Sequence, residues 1–403
     1  MIKDGKRQKL LILVCWLIYV ASYISRYSYN SNIVAVKDYY GVSNAETGLV
    51  GTCFFFAYGI GQIVNGLLCK KYNKKIFLSI PLILSAIINF FLYTLPVFKI
   101  YKYLWLLNGC CLSVLWSLLV LTLSENLDEK HLTAAMVVMS STVAAGTIIS
   151  YGTSALYNLA GKFRYSFLTG GFSAGAIAVV WLLSCDKLTV KNKAEQESLQ
   201  TRENEKSKPN FLVISTLVIF GICMIAGNLL KDGLNVWVPQ ILKDTYGFGD
   251  SLSIILTIAL PILGLFGALF VVQMNKFVRD GVLLNGLLFL AATGCMFVVF
   301  QLLKTTLYIP IIVLFGLISL LMHAANNYIT SFIPLKMRDR FNSGLLAGIL
   351  NGCGYVGSTL SSYCLGIVAD LSGWNGVFVL LTIICGLTVA ISFIFCFVTK
   401  ITT

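Results

Sequence analysis

The sequence predicts an all-α membrane protein with twelve transmembrane helices arranged in two six-helix halves. The chain is 57% hydrophobic and 12% charged, whereas soluble domains carry about 25% charged residues. Twelve apolar runs follow one another along the chain, each close to the roughly 20 helical residues that cross a bilayer core. One long polar segment separates the first six runs from the last six.

The polar segment divides the chain into three predicted regions. Residues 1–184 form an N-terminal six-helix half, residues 185–209 a cytoplasmic linker, and residues 210–403 a C-terminal six-helix half. The linker is rich in Lys, Glu, Gln and Asn, which is typical of a flexible segment. The predicted spans, in order, are 10–34, 45–69, 76–97, 101–124, 132–158, 163–184, 210–240, 250–274, 281–303, 307–333, 341–367 and 374–398.

Lysines and arginines are distributed unequally between the two sides of the predicted membrane. With the N-terminus inside, 21 of them fall in inner tails and loops and 7 in outer loops. Because basic residues concentrate on the cytoplasmic side, both termini are predicted to be cytoplasmic, in a multi-pass protein of the cell (plasma) membrane. The basic N-terminus is also compatible with a signal peptide, but its apolar run is long and contains an arginine, which favours an uncleaved first span.

Charge and cysteine content exclude several other classes. The net charge of +13 suggests a nucleic-acid partner, but the basic residues lie in short loops between apolar runs, so the only extended partner predicted is the lipid bilayer. The 12 cysteines lie mostly singly within apolar runs and form no C-x-x-C motif, so neither disulfides nor a metal site is predicted. No nucleophile–base set or nucleotide loop stands out, and we predict neither an enzyme nor a cofactor.

The first span carries a polar stripe that contains a cation. Tyr19, Tyr23, Arg26 and Asn30 fall within about 60° of one another around a helix, with apolar or small residues between them. A cation at mid-bilayer costs about 2.5–3.5 kcal/mol on insertion scales. Intramembrane charges of this kind usually face a cavity or a partner, so the stripe is a candidate binding site.

The seventh span repeats this pattern. Asn228, Lys231 and Asn235 share one helical face, and Lys231 lies 205 residues after Arg26. In both spans an asparagine follows the cation by four residues. The repetition indicates a duplication of six spans, in which a substrate site is expected near mid-membrane, between the halves.

The spans contain little negative charge to neutralise these two cations. Only Asp232 is well inside a span, and as the neighbour of Lys231 it is expected to point about 100° away from it. The missing counter-charge suggests an anionic ligand, which Arg26 can grip with two parallel hydrogen bonds. The alternatives are that the cations reach an interface or cap carbonyl groups, and that Asp232 pairs with Lys231 as a structural bridge.

A second polar cluster lies in span 10, where His323, Asn326 and Asn327 occur close together. These residues are candidates for substrate contact, and His323 for carrying a proton; the alternative is hydrogen bonding between helices. Span 11 is rich in glycine and serine between residues 348 and 362, which predicts close helix packing. Tyr355 in that stretch is a further candidate site residue.

Several motifs resemble those of a known family. They are Tyr19-x-x-x-Tyr23-x-x-Arg26 in span 1, Ala57-Tyr58-Gly59 and Asn65-Gly66 in span 2, and Gly354-Tyr355-x-Gly357 with Asp370-x-x-Gly373-Trp374-x-Gly376 in spans 11 and 12. With these motifs the chain resembles the organophosphate:phosphate antiporters of the major facilitator superfamily, which include glycerol-3-phosphate and hexose-phosphate transporters. The resemblance implies that the arginine binds phosphate and that the tyrosines line the pore.

The chain departs from that family at several pore positions. Lys231 stands where the family has a second phosphate-binding arginine, Gln62 where it has a lysine, and Asn228 where it has a tyrosine. The family also has a histidine in span 5; the corresponding position lies near Thr142, so this histidine is absent here. One fewer pore cation suggests a less highly charged substrate, such as a carboxylate or a different phosphorylated metabolite.

The leading functional hypothesis is a secondary transporter that moves a small organic anion by alternating access. Arg26 and Lys231 would form the anion-binding pair, with phosphate or protons as the coupling species and a monomer as the functional unit. The first alternative is an exporter of lipophilic or cationic drugs, for which Asp232 would supply the pore acid. The second is a transport-like membrane sensor of an anion.

Overall fold

The computed structural model describes residues 4–190, 211–337, 341 and 343–402, and within these ranges the chain is helical throughout, without strands. We number the spanning helices α1 to α12. Their bounds are Gly5–Tyr40, Asn44–Leu68, Lys74–Thr94, Phe98–Asn126, His131–Leu159, Tyr165–Leu188, Phe211–Tyr246, Asp250–Phe277, Gly281–Leu302, Tyr308–Lys336, and the two parts, 343–372 and 374–402, of one continuous helix that bends at Gly373.

The twelve predicted spans are all present, but their ends differ at informative places. Helices α1 and α7 continue several residues beyond their predicted limits, to Tyr40 and Tyr246. No loop separates α11 from α12, because Gly373 adopts φ 65° and turns the chain within one residue. Glycine is suited to this left-handed conformation because it lacks a Cβ. Helix α6 ends at Leu188, within the predicted linker, and residues 191–209 of that linker lie outside the described residues.

Short polar side chains define where several helices begin. The hydroxyl group of Ser43 accepts a hydrogen bond from the backbone of Glu46, whose carboxylate accepts one from the backbone of Ser43 in return. Such a reciprocal cap satisfies two of the free N–H groups of a helix. Asp280 caps α9 in a similar way, because its carboxylate accepts hydrogen bonds from the backbone N–H groups of Val282 and Leu283 at 2.8 and 3.0 Å.

The two halves contact each other mainly through two pairs of helices, α2 with α11 and α5 with α8. Within the C-terminal half, α7 packs against α11 and α9 against α12. As expected, small residues make the close approaches possible: a Cβ added to Gly357 of α11 would lie 2.0 Å from the Ile225 carbonyl oxygen of α7. Across the halves, a Cβ on Gly48 of α2 would lie 2.2 Å from the Ser362 carbonyl oxygen.

Candidate functional site

Arg26 lies buried in the N-terminal half, surrounded by aromatic rings. The residue is only 6% exposed. The guanidinium carbon lies 5.0 to 5.8 Å from five ring centroids, which are those of Tyr23, Tyr27, Phe54, Phe55 and Tyr58. Cations are attracted to ring faces at such distances, by about 0.5–1 kcal/mol at exposed sites and about 2 kcal/mol or more when water is excluded. The rings therefore offset part of the cost of burying this charge.

The guanidinium nevertheless has no acceptor within the part of the chain that the structure describes. Its Nε atom is buried without a hydrogen-bond partner, and no carboxylate of the described residues forms an ion pair with Arg26. Aromatic rings supply no lone pairs in the plane of the N–H groups, so they do not satisfy the buried Nε donor. An unsatisfied buried charge of this kind is typical of a site that binds an anion.

The predicted stripe of α1 continues as a stack of tyrosines. The rings of Tyr19 and Tyr23 meet edge to face at 5.2 Å between centroids, and Tyr23 and Tyr27 are stacked at 5.8 Å. Tyr27 lies 6.0 Å from Tyr151 of α5. The Tyr151 hydroxyl group donates a hydrogen bond of 2.6 Å to the backbone carbonyl of Asn235, in the other half. The aromatic column thus joins α1 to α7 across the interface.

Lys231 has partners that Arg26 lacks. Its Nζ atom donates to the Asn228 side-chain oxygen at 2.7 Å and lies 3.7 Å from a carboxylate oxygen of Asp232. The expectation that Asp232 points away from Lys231 was therefore wrong, and the alternative of a pair is the one observed. The reason is side-chain reach: backbone positions 100° apart on a helix still allow the four-carbon chain of a lysine to turn towards its neighbour.

Asp232 is in turn held by the neighbouring helix. The Ser358 hydroxyl group of α11 donates a hydrogen bond to its carboxylate, and the residue is only 6% exposed. The expectation that both cations lack a counter-charge therefore applies to Arg26 alone. The N-terminal half presents a free cation, whereas the C-terminal half presents an ion pair.

Gln62 and Tyr355, both predicted site residues, each contact the other half of the protein. The Gln62 amide donates to the Tyr58 hydroxyl group at 3.0 Å and accepts from Asn351 of α11 at 3.0 Å. The rings of Tyr58 and Tyr355 lie 4.9 Å apart. The Tyr58 ring also lies 5.1 Å from the Arg26 guanidinium carbon, so it connects Tyr355 of α11 with the Arg26 cage. This part of the interface carries the phenol and amide groups that neutral hydrogen bonds to a ligand require.

The predicted cluster of span 10 separates into two roles. His323 directs Nδ1 to the Ser319 carbonyl oxygen at 2.9 Å, and Asn327 donates to the His323 carbonyl at 2.9 Å, so both bond within their own helix. Asn326 instead donates to Asn228 at 3.1 Å and so joins the Lys231 group.

Asn30 and Asn235, the two other predicted asparagines, are both buried. The hydrogen bond shown for Asn235 is the one that its backbone carbonyl accepts from Tyr151.

Sequence reasoning missed the rings from α2 that complete the cage. Phe54, Phe55 and Tyr58 were not predicted as site residues, although Tyr58 belongs to one of the motifs. Their spacing places Phe54 and Tyr58 on one helical face, which was the available signal. Tyr151 and Ser358 gave no such signal, because their roles depend on partners 84 and 126 residues away in sequence.

A bundle of twelve spanning helices in two halves, with buried polar side chains between them, is the architecture of a membrane transporter. A family model described as Major Facilitator Superfamily matches residues 15–343. The chain belongs to the Major Facilitator Superfamily.

Two of the similar curated proteins are named for phosphorylated compounds and one is named as a sensor. Sugar phosphate exchanger 3 of Bos taurus is 21% identical over 377 residues, which cover 82% of this chain and 76% of that protein. The phosphoglycerate transporter protein of Salmonella typhimurium is 31% identical over 105 residues, and the membrane sensor protein UhpC of Escherichia coli is 29% identical over 99 residues. These two matches span only 23% of the length of each relative.

Solved structures share the fold at low sequence identity. A bacterial homolog of the human lysosomal transporter Spinster, in an inward-facing and occupied conformation, aligns with a TM-score of 0.79 at 13% identity, covering 98% of this chain and 97% of that one. The nucleoside transporter NupG aligns with a TM-score of 0.69 at 14% identity, covering 98% and 99%. These likenesses concern the fold alone.

Proposed function

We propose that this transporter moves a small organic anion, such as a sugar phosphate, glycerol phosphate or carboxylate, by alternating access of its two halves. The observation that carries the proposal is the buried Arg26 guanidinium, whose fork has no acceptor among the described residues. A phosphate or carboxylate matches that fork with two parallel hydrogen bonds. Relatives named for sugar phosphate and phosphoglycerate transport support the same substrate class.

Lys231 is the second cation of the proposed site. The Asn228 side-chain oxygen accepts hydrogen bonds from Lys231 and from Asn326, and Tyr355 of α11 packs against Tyr58, a ring of the Arg26 cage. An anion that contacts groups of both halves would favour the state in which the halves close around it, and its differential affinity would drive the conformational change. Each chain contains both halves, so we propose a monomer as the functional unit.

The test is ligand-dependent thermal stability of the purified protein. The panel is phosphate, glycerol 3-phosphate, glucose 6-phosphate, glucuronate and glucose, because it varies charge at similar size. A ligand at 100 times its Kd stabilises the folded state by about 2.7 kcal/mol. We expect at least one anion, and not glucose, to stabilise the wild type, and Arg26→Gln to abolish the effect. Arg26→Lys retains the charge without the fork and is expected to bind more weakly.

Arg164→Gln is the matched control, because Arg164 bonds to the Tyr40 hydroxyl group at 3.2 Å in a different part of the protein. It should leave anion binding unchanged. Anion binding that survives in Arg26→Gln, or stabilisation by glucose alone, would overturn the proposal.

The coupling species and orientation belong to the same proposal. Exchange for phosphate predicts uptake only into proteoliposomes loaded with phosphate, whereas proton symport predicts uptake that follows an imposed pH gradient.

The excess of basic residues on one side supports cytoplasmic termini in the plasma membrane. Maleimide labelling of cysteines introduced at positions 99 and 187, at the start of α4 and the end of α6, should find these two positions on opposite sides of the membrane.

A second candidate function is sensing, which one relative named as a membrane sensor favours. Uptake of a labelled anion by the purified protein in proteoliposomes would exclude a receptor that has no transport activity. Binding without uptake under both coupling conditions would favour the sensor.

A further inference from the structure

The two cations of the proposed site differ in their surroundings. Arg26 has no carboxylate partner among the described residues, whereas Lys231 has Asp232 at 3.7 Å. The three side chains together carry two positive charges and one negative charge. Asp232 is not free to leave this arrangement at low cost, because Ser358 of α11 donates to the carboxylate oxygen that does not face Lys231.

From this arrangement we infer that Asp232 is a specificity-determining residue, which acts as an internal counter-ion of Lys231 and limits the site to one net positive charge. The preferred substrate therefore carries one negative charge when bound, as a singly ionised phosphate ester or a monocarboxylate. The inference rests on the proposed function and deepens it, because it names the charge class of the substrate.

The physical reason is the low polarity of the surroundings. Charges a few ångströms apart interact far more strongly in a partly buried site than in water. A dianion whose first charge pairs with Arg26 and whose second charge approaches Lys231 would also approach the Asp232 carboxylate, which lies 3.7 Å from Lys231. It would have to displace that carboxylate or remain close to it, and both arrangements cost free energy that a monoanion avoids.

Other titratable groups in reach of Asp232 come from every neighbouring helix. Among the described residues they are Lys231 on its own helix, Tyr23 and Tyr27 on α1, Tyr355 on α11 and His323 on α10. A change of pH can act on these groups as well as on a ligand, so the test includes a ligand whose charge does not change with pH.

The experiment compares two probes of nearly equal size. Glycerol 3-phosphate gains its second negative charge near pH 6, as phosphate monoesters do. Its methyl diester carries one negative charge throughout the range from pH 5.5 to 8. Dissociation constants for both are measured at the two pH values by thermal stabilisation of the purified, full-length protein. For the wild type we expect the monoester to bind at least tenfold more weakly at pH 8 than at pH 5.5, while the diester changes less than twofold.

Charge variants then separate the role of Asp232 from mere support of the fold. Asp232→Asn raises the net charge of the site by one and should increase the monoester-to-diester preference at pH 8 at least tenfold. The double variant Lys231→Gln with Asp232→Asn restores one net positive charge and should restore the wild-type preference. Asp186→Asn is the matched control, because it breaks an ion pair with Lys75 at the surface, and it should bind as the wild type does.

The outcomes are distinguishable. An unchanged preference in Asp232→Asn would overturn the inference while leaving the anion site intact. If Asp232→Asn does not fold, the double variant decides: a preference different from that of the wild type overturns the inference. If neither probe binds the wild type, or Arg26→Gln binds both normally, the proposed function fails and the inference fails with it.

Discussion

The backbone nitrogen of Asn44 lies 3.1 Å from one carboxylate oxygen of Asp370, and that of Ala45 lies 2.8 Å from the other. An acid of the C-terminal half therefore caps the first turn of α2 in the N-terminal half. Carboxylates are favourable at this position because helix N-termini carry free N–H groups and a partial positive charge.

Charged contacts between the halves cluster at this end of the bundle. Lys243 forms ion pairs with Asp38 of the other half and with Asp250, and Lys37 lies 4.0 Å from Asp244. Within the C-terminal half, Trp374 donates to Asp244 at 2.9 Å. All of these lie at the end away from the two termini. Ion pairs described at the opposite end, such as that of Lys75 with Asp186, stay within one half. Charged contacts thus join the two halves at the end away from the termini.

We predict that Asp370→Asn loosens the contact between the halves at the start of α2. Loss of the carboxylate at the helix terminus should cost about 1 kcal/mol, which corresponds to about fivefold faster exchange of the amide hydrogens of Asn44 and Ala45. Hydrogen exchange measured by mass spectrometry checks this. The control is Asp280→Asn, because Asp280 caps α9 within its own half, and it should leave exchange at Asn44 unchanged. Equal exchange in the wild type and Asp370→Asn would contradict the assigned role.

A second prediction concerns the Lys243 ion pair with Asp38. Exposed pairs typically contribute about 0.2–1 kcal/mol, and salt screens them. A double-mutant cycle of Lys243→Gln and Asp38→Asn, read out by the same amide exchange, should give a coupling in this range at 0.05 M salt and a smaller one at 1 M. A coupling that does not change with salt would argue against an electrostatic contact.

A third prediction concerns the aromatic cage. Phe55→Leu removes a ring whose centroid lies 5.0 Å from the Arg26 guanidinium carbon, so the ligand-free protein should lose about 1–2 kcal/mol beyond the packing loss. Thermal unfolding checks this against Phe289→Leu, which removes a fully buried ring without a cation near it. A bound anion should reduce the difference between the two variants, because it supplies Arg26 with a partner. Equal losses with and without ligand would show that the ring only fills space.

A fourth prediction tests the close packing of α11 on α7. Gly357→Ala places a Cβ 2.0 Å from the Ile225 carbonyl oxygen, so the helices must move apart, at a cost of about 1–3 kcal/mol. Gly348→Ala on the same helix meets nothing within 4 Å and should be neutral or slightly stabilising, because alanine favours helices. Thermal unfolding distinguishes them, and equal stability of the two variants would refute the packing argument.

Much of the architecture could be predicted from the sequence because its signals are local. Hydropathy and span length predicted twelve helices, and the helical period predicted that Tyr19, Tyr23 and Arg26 share a face. The junction of spans 11 and 12 was predicted as a loop over residues 368–373, whereas the helices continue on both sides and Gly373 alone makes the bend, which only the backbone conformation shows. The partners of Arg26 on α2 were missed for a related reason: aromatic residues in an apolar span look the same whether they face lipid or a cation.

The sequence by itself determined that this chain is a twelve-span membrane protein with a buried arginine and a lysine at matching positions, because composition and periodicity depend only on neighbouring residues. Only the tertiary structure decided which cation is free. Lys231 pairs with Asp232 while Ser358, 126 positions later, holds that carboxylate; Arg26 is left among five rings. Side-chain reach and contacts between distant helices set these differences, and neither is encoded in the spacing of residues along the chain.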